Sequence, residues 1–162
     1  MAHPSDGGRY HAMRRGHSGR WTAVTRSDVP AGTGKHSESG ERTMARTAQE
    51  IFRHHGEAMD AQNIDAIVED YTERSVLIVG PRIFRGKSEI RAFFKSFLDT
   101  LPEAEWSVPI ATFEGNVLYI EWAVKSRGRL VAEGADTFVF ADGMIAVQTA
   151  HPSPTKARSN GA

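Results

Sequence analysis

The chain has 162 residues, with 20 Lys and Arg against 20 Asp and Glu, and it contains no Cys. This length fits one domain with a tail better than two domains, and a net charge of +0 argues against whole-chain attraction to nucleic acid or an anionic membrane. The absence of Cys excludes disulfides, thiolate metal sites and a cysteine nucleophile. Because no apolar run could span a bilayer, we expect a cytoplasmic protein.

The first 45 residues differ in composition from the rest. They contain seven of the 15 Gly and none of the eight Phe, and seven basic and four acidic residues give them a net charge of +3. So few apolar side chains cannot offset the entropy of ordering. We predict a disordered tail over 1–45, one domain over 46–152 and a second disordered tail over 153–162. A solvated tail, a start codon placed upstream of Met44, a nucleic-acid-binding arm and a transit peptide all fit the N-terminal composition.

Helical periodicity begins directly after this tail. Thr47 and Glu50 form a capping-box pattern for a first helix, whose apolar face extends over 48–59. A short second helix is predicted with its apolar face over 64–71, so that Tyr71 ends it.

A strand over 75–79 and a third helix follow. Ser88 is the expected N-cap of this helix, and Pro102 ends its apolar face. The helices and this strand together precede a region with a different periodicity.

Alternating apolar and polar residues predict four further strands. They extend over 106–113, 117–126, 130–141 and 144–151, with a tight turn at Asp142–Gly143. Helices followed by consecutive antiparallel strands predict an α+β fold, with the helices on one side of a curved sheet.

Three stretches carry a family resemblance: Met59–Asp65, Phe84–Phe94 and Gly134–Ile145. With the element order, they resemble the nuclear transport factor 2-like superfamily, which includes ketosteroid isomerases and SnoaL-like polyketide cyclases. The resemblance covers 46–152. It implies a bacterial-type protein with a cone-shaped antiparallel sheet and three N-terminal helices on its concave face. Because this fold carries enzymes, binding proteins and assembly modules, it does not define an activity.

His55 and Asp136 are the candidate catalytic residues. His55 lies on the apolar face of the first helix, either as a core histidine or as a polar group in a cavity. Asp136 shares a strand face with Phe138, where a carboxylate is costly unless it is paired or protonated, and the alternative is that it faces solvent. The resemblance implies that they replace the oxyanion-hole tyrosine and protonated aspartate of ketosteroid isomerases. The carboxylate base of that family is absent from 77–80.

The expected lining of the pocket consists of Phe52, Met59, Tyr71, Phe94, Trp122, Phe138 and His151. Tyr71 and Trp122 fit the core equally well. His151 joins the face of Asp136 if the turn at Asp142–Gly143 has two residues, and the opposite face if the loop has three, because one residue of slip reverses the faces.

No metal or cofactor is expected. Adjacent residues on a helix point about 100° apart, so His54 and His55 cannot both bind one ion from one face. Gly86–Ser88 ends like a nucleotide-binding loop, but Pro81 occupies the position of the required glycine.

Two functions fit these residues. One is a pocket for a small hydrophobic molecule, with cofactor-independent isomerase or cyclase chemistry on a carbonyl compound. The other is a non-catalytic ligand-binding or dimerisation module on the same fold. A homodimer is expected through the open face of the sheet, from which Tyr119 and Ala123 project. A cavity shared by His55 and Asp136 would favour an enzyme or a binder, and a filled core would favour the module.

Overall fold

A computed structural model describes residues 45–154 together with two short strands, β1 (Ala12–Arg15) and β2 (Trp21–Val24). β1 and β2 pair with each other in antiparallel fashion. They lie within the range for which the sequence predicts no regular structure, and their backbone differs from that prediction. Residues 1–11, 16–20, 25–44 and 155–162 of the predicted tails lie outside the described part. Ser153 and Pro154, at the start of the predicted C-terminal tail, instead end a strand of the domain (Met144–Pro154).

The domain has three helices, α1 (Ala48–Asp60), α2 (Ile64–Glu69) and α3 (Gly86–Asp99). The capping box at the start of α1 is confirmed: Thr47 Oγ1 accepts from the Glu50 backbone N–H, and the Glu50 carboxylate accepts from the Thr47 N–H at 2.8 Å. This pairing satisfies two of the amide groups that a helix start leaves unbonded.

The prediction that Ser88 caps α3 is wrong. The N-cap is Arg85, three residues earlier, so the helix begins at Gly86, and the Glu89 carboxylate accepts from the Arg85 N–H at 2.7 Å. Gly86 has a φ of +69°, and a Cβ there would lie 3.1 Å from the backbone oxygen of Glu73. A residue without a side chain is required at this turn, so the helix starts where the glycine allows the chain to turn.

Six strands form one sheet in the order β4-β3-β8-β7-β6-β5. Their bounds are β3 (Tyr71–Val79), β4 (Arg82–Arg85), β5 (Ala104–Glu114), β6 (Val117–Ser126), β7 (Arg129–Ala141) and β8 (Met144–Pro154). β1 contacts β5, the strand at one edge. The fold is α+β with a curved, unclosed sheet, as predicted. No helix of the described residues is long and apolar enough to cross a membrane.

The sheet is mixed, whereas the sequence predicts an antiparallel one. β3 and β8 are parallel, and the other neighbours are antiparallel. β5 to β8 form a meander, so the direction of β8 is set by β7 and not by its other neighbour, β3. Two further differences accompany this one: Tyr71 begins β3 and does not end α2, and the short strand β4 lies where the sequence predicts none.

One face of the sheet packs against the helices and forms the core. Successive residues of β6 alternate between this face and the other, so that Leu118, Ile120, Trp122 and Val124 are buried while Tyr119 is exposed. The largest fully buried side chains include Tyr71, Phe138 and Ile51, from three different elements. The core face of the strands β6, β7 and β8 is therefore the surface on which a buried site can form.

A β-bulge in β8 determines which of its residues reach this face. The turn after β7 has two residues, because Ala141 pairs with Met144 and Phe140 with Ile145. Val139, however, pairs with Val147, which leaves Ala146 as an extra residue. Since one inserted residue reverses the faces beyond it, the remainder of β8 is turned over relative to an unbroken hairpin.

Candidate active site

A cavity with a volume of about 70 Å³ lies between the helices and the core face of the sheet. Its polar and charged lining residues are His55, Asp136, Gln148 and Arg53. The rest of the lining is predominantly apolar, with Phe52, Gly56, Met59, Phe93, Phe94, Phe97, Trp106, Val108, Ile120, Trp122, Phe138, Ala150 and Pro152. An apolar wall with a few polar groups is the usual composition of a site for a small molecule.

Asp136 is the buried acid of this cavity. Its side chain is held from both sides: Trp122 Nε1–H donates to Oδ1 at 2.8 Å, and Gln148 Nε2–H donates to Oδ2 at 2.7 Å. Only 7% of the residue is exposed. Desolvation raises the pKa of Asp136 above its ordinary value of 3.8, and the hydrogen bonds from Trp122 and Gln148 and the nearby His55 oppose this rise without cancelling it.

Gln148 links Asp136 to a second buried group, the phenol of Tyr71. The Tyr71 hydroxyl donates to Gln148 Oε1, which fixes the orientation of the amide so that its N–H group faces Asp136. Burial raises the pKa of Tyr71 well above 10.0, and the neighbouring carboxylates of Asp136 and Asp70 add to this rise. The phenol is therefore a hydrogen-bond donor at every ordinary pH.

Trp122 reaches Asp136 because the opposite strand has a glycine. Trp122 pairs with Gly134 across β6 and β7, and a Cβ on Gly134 would lie 2.3 Å from Trp122 Cζ2 and 2.8 Å from the His151 backbone oxygen. Real atoms do not approach so closely, so any side chain at this position would displace the indole. The absence of a side chain at Gly134 is thus required for the hydrogen bond between Trp122 and Asp136.

His55 faces the cavity from α1 and is 4% exposed. Its ring is packed edge to face against Tyr71, Phe94 and Phe138, with centroid distances of 5.8, 5.7 and 5.8 Å. Its Nδ1 is buried and has no hydrogen-bond partner among the described residues. Asp70 Oδ2 lies 3.6 Å from this atom, which is an ion-pair distance and too long for a hydrogen bond.

Asp70 is a second buried aspartate, placed behind His55 at the C-terminal end of α2. It is 0% exposed, and it accepts from Arg46 Nη1 at 2.8 Å and from His54 Nδ1 at 2.9 Å. Desolvation raises the pKa of Asp70, but the polar contacts and charges of His55 and His54 outweigh it, and the net pKa is lowered. The adjacent histidines of α1 therefore approach one carboxylate from two directions.

The structure places five of the seven predicted pocket residues in the cavity wall: Phe52, Met59, Phe94, Trp122 and Phe138. The candidate catalytic residues His55 and Asp136 are also there. Tyr71 lies behind the wall and reaches the site through Gln148.

His151 does not lie in the cavity. It pairs with Ala135, whereas Asp136 pairs with Ala150, so His151 and Asp136 are on opposite faces of the sheet. The prediction for His151 depends on the length of the turn alone, and the turn does have two residues. The bulge at Ala146 reverses the faces after the turn, and a bulge of this kind leaves no clear signal in the residue pattern.

Two buried polar residues of the site, Gln148 and Asp70, are absent from the sequence-based prediction, as are the wall residues Phe93, Phe97 and Trp106. An unbroken hairpin places Gln148 on the opposite face from Asp136. Asp70 precedes Tyr71 on what the pattern presents as a continuous helix, where it would be an ordinary solvated acid. The available signal for Gln148 is a polar residue between Val147 and Thr149 in a buried strand. A helix end two residues earlier, at Glu69, would have placed Asp70 at the helix C-cap.

The opposite face of the sheet is partly open. Tyr119 is 39% exposed there, its hydroxyl donates to Glu121 Oε1 at 3.0 Å, and Ala123 and His151 lie nearby. This is the face through which the sequence predicts a homodimer, and that association stays a prediction.

Residues 52–148 match the model of the SnoaL-like domain family. The chain belongs to this family. The match contains the candidate residues His55, Asp136 and Gln148 as well as Asp70. No curated relative matches the chain.

Solved structures with this fold come from several bacteria. An NTF-2 like protein of unknown function from Burkholderia xenovorans LB400 is 22% identical, with a TM-score of 0.57 over 69% of this SnoaL-like chain and 88% of the other. A candidate polyketide cyclase from Sinorhizobium meliloti is 17% identical, with a TM-score of 0.56 over 64% and 98%. A candidate ketosteroid isomerase from Kribbella flavida DSM 17836 is 9% identical, with a TM-score of 0.58 over 70% and 83%. At these identities the likeness establishes the fold alone.

Proposed function

We propose that this SnoaL-like domain binds a small apolar carbonyl compound in its cavity and transfers a proton on it without a cofactor. The observation that carries the proposal is Asp136, a buried acid with a raised pKa in an aromatic wall that also contains His55. A carboxylic acid that is desolvated in this way can stay protonated near neutral pH and donate a hydrogen bond.

The proposed chemistry divides the proton transfer between these two residues. Protonated Asp136 donates to the carbonyl oxygen, and its proton remains available because Trp122 and Gln148 use its oxygens only as acceptors. His55 takes a proton from the carbon beside the carbonyl, which gives an enol or enolate stabilised by Asp136. Return of the proton to another carbon gives an isomerase, and attack of the enolate on a second carbonyl within the molecule gives a cyclase.

An unpaired donor in the cavity wall supports ligand binding. Trp106 Nε1 is buried and has no partner within the described part of the chain. Such a group costs free energy unless a water or a ligand acceptor satisfies it. A carbonyl compound brings an acceptor of this kind into an otherwise apolar space.

The size of the cavity restricts the ligand. A volume of about 70 Å³ is well below the ~300–1,000 Å³ of common ligand sites, and this favours the alternative of a non-catalytic module with a nearly filled core. Phe93 and Phe97, however, separate the cavity from an open groove beside β4, because both line the cavity and the groove. Their rotation would enlarge the site towards solvent, so we expect them to admit the ligand.

A panel of cyclic unsaturated ketones tests the proposal in two steps. Thermal unfolding identifies binders, because a ligand at 100 times its Kd stabilises the native state by about 2.7 kcal/mol. Exchange of the α-proton for solvent deuterium, followed by NMR, then measures proton transfer. D136N and H55F should abolish exchange and remain folded, and D65N, which alters only an exposed ion pair with Arg91, should match the wild type.

The non-catalytic alternative predicts a different result. Binding without exchange in the wild type would exclude the enzyme and retain the binding module. Severe destabilisation by D136N and H55F, with no binder in the panel, would show that the polar network only supports the fold.

A further inference from the structure

The second buried aspartate has a geometry that the proposed chemistry does not yet use. Asp70 lies outside the cavity lining, is 0% exposed, and has its Oδ2 3.6 Å from His55 Nδ1. Its other partners, Arg46 and His54, reach it from the N-terminal segment of the domain and from α1. A carboxylate that accepts from a guanidinium is held in its ionised form.

This carboxylate decides which nitrogen of neutral His55 carries the proton. If Nδ1 were unprotonated, its lone pair would face the negatively charged Oδ2 in a buried space, and the two would repel each other. If Nδ1 carries the proton, the N–H points at an acceptor, and the distance of 3.6 Å shortens to a hydrogen bond with a small movement of either side chain. Catalytic hydrogen bonds are often long in free enzymes and shorten when substrate binds.

We propose that Asp70 is a positioning residue that holds His55 in the Nδ1–H form, so that Nε2 is the proton acceptor in the cavity. The role rests on the proposed function, because it assigns the base of that reaction. His55 lines the cavity and its Nδ1 is the ring nitrogen turned towards Asp70, which leaves Nε2 for the cavity. Asp70 also stabilises the imidazolium that forms when Nε2 takes a proton, as an acid placed behind a histidine does in other enzymes.

Titratable and charged groups from several elements surround His55 and Asp70. His55 faces Asp70 at the end of α2, Asp136 on β7 and Tyr71 on β3, with His54 adjacent on its own helix. Asp70 faces Arg46 and His54 as well as Tyr71, which stays neutral. Asp136 contributes no charge while it is protonated. The base therefore acts from the form of the site in which His55 is neutral and Asp136 carries its proton.

The direct test is the tautomer of His55 in the full chain labelled with ¹⁵N-histidine. The nitrogen shifts and their couplings to the ring protons distinguish Nδ1–H from Nε2–H once the imidazole is neutral. The proposal expects His55 to be Nδ1–H in the wild type, and D70N to shift it towards Nε2–H because the ionised acceptor is lost. H54Q, which removes the other histidine at Asp70, should leave the tautomer unchanged.

A wild-type spectrum with Nε2–H would overturn the assignment even if D70N failed to fold, and so would an unchanged tautomer in folded D70N. This readout needs no substrate, so it can fail or succeed independently of the proposed function. Where a ketone of the panel is turned over, D70N should lower the exchange rate about tenfold or more with little change in KM. If D70N instead lowered thermal stability and raised KM while the rate constant stayed unchanged, the role of Asp70 would be structural only.

Discussion

Asp70 and Asp136 are both almost completely buried, yet their pKa values move in opposite directions. Asp136 lies in the middle of a strand among aromatic rings, and its two donors, an indole and an amide, carry no charge. Asp70 lies at a helix end, where Arg46 and His54 can keep their charged groups partly in water: their side chains are 38% and 36% exposed. Burial alone therefore does not decide whether a carboxyl is ionised, since the charge of its partners does.

The difference assigns the two aspartates different tasks on either side of His55. Asp136 is suited to donate a proton, because desolvation in the cavity lowers the free energy of its neutral form relative to the charged form. Asp70 is suited to orient and stabilise a cation, because its charge is already compensated. A site that contained two aspartates of one kind would have either two acids or two anions.

The largest expected effect is on stability and comes from neutralising Asp70. D70N leaves Arg46, His54 and His55 around a neutral amide that cannot balance a positive charge. Loss of one partner of a buried ion pair typically lowers the free energy of unfolding by about 3 kcal/mol. We expect a loss of this size in the free energy of unfolding at pH 7, measured by urea denaturation. D99N, which alters an exposed pair with Lys95, should change it by less than about 0.5 kcal/mol. Equal effects of the two variants would show that Asp70 is not the ionised partner we describe.

A smaller effect is expected from a change that perturbs Asp136 without touching its charge. G134A forces the Trp122 indole away from its position, and overpacking of this kind costs about 2 kcal/mol. Removing the indole donor should also raise the pKa of Asp136 further, since that hydrogen bond lowers it. Denaturation and carbon NMR of the carboxyl measure the two consequences.

The control for this variant is G115A. Gly115 has a φ of +56°, and a Cβ added there would meet no atom within 4 Å, so alanine introduces conformational strain only. It should cost about 1 kcal/mol and leave the titration of Asp136 unchanged. If the pKa of Asp136 in G134A equalled that in the wild type, the indole would have moved with the new side chain and kept its hydrogen bond to Asp136.

The smallest expected effect is on the pH dependence of stability. Asp70 has a lowered folded pKa, so its contribution is complete above its ordinary value of 3.8 and is lost as the pH falls through the folded value. Asp136 has a raised folded pKa, so it costs nothing below 3.8 and becomes destabilising as the pH rises towards the folded value. D136N should therefore match the wild type in acid and be more stable than it at neutral pH.

Denaturant titrations of wild type, D70N and D136N from acid to neutral pH check this expectation. The deficit of D70N should grow over the pH range just below 3.8, and the advantage of D136N should grow above it. Parallel curves for both variants would contradict the opposite protonation of the two aspartates.

Much of the fold follows from local patterns in the sequence. β6 begins at Val117 and ends at Ser126 as predicted, because its apolar and polar residues alternate strictly along the strand. The capping box likewise fixes the start of α1. The parallel pairing of β3 with β8 cannot be predicted in this way, because these strands are distant in the chain and meet only in the final packing.

The sequence predicts a site residue where its side chain depends on one element and misses it where the side chain depends on two. His55 and Asp136 follow from the apolar faces of a helix and a strand. Gln148 depends on the bulge between β7 and β8, and Asp70 depends on where α2 ends against β3. Both features depend on backbone positions that differ from the prediction by one or two residues, which is within the error of any pattern-based boundary.

The extra residue at Ala146 determines which residues of β8 face Asp136, and its position matters more than its presence. Deleting it would leave Val147 opposite Val139 and Gln148 opposite Phe138, so Gln148 would keep its place beside Asp136. A bulge placed beyond His151 instead would pair Val147 with Phe138 and His151 with Gly134, and would carry Gln148 out to the opposite face. Moving one irregular residue along this strand would thus exchange the amide beside Asp136 for other side chains, while the helices and the other strands kept their places.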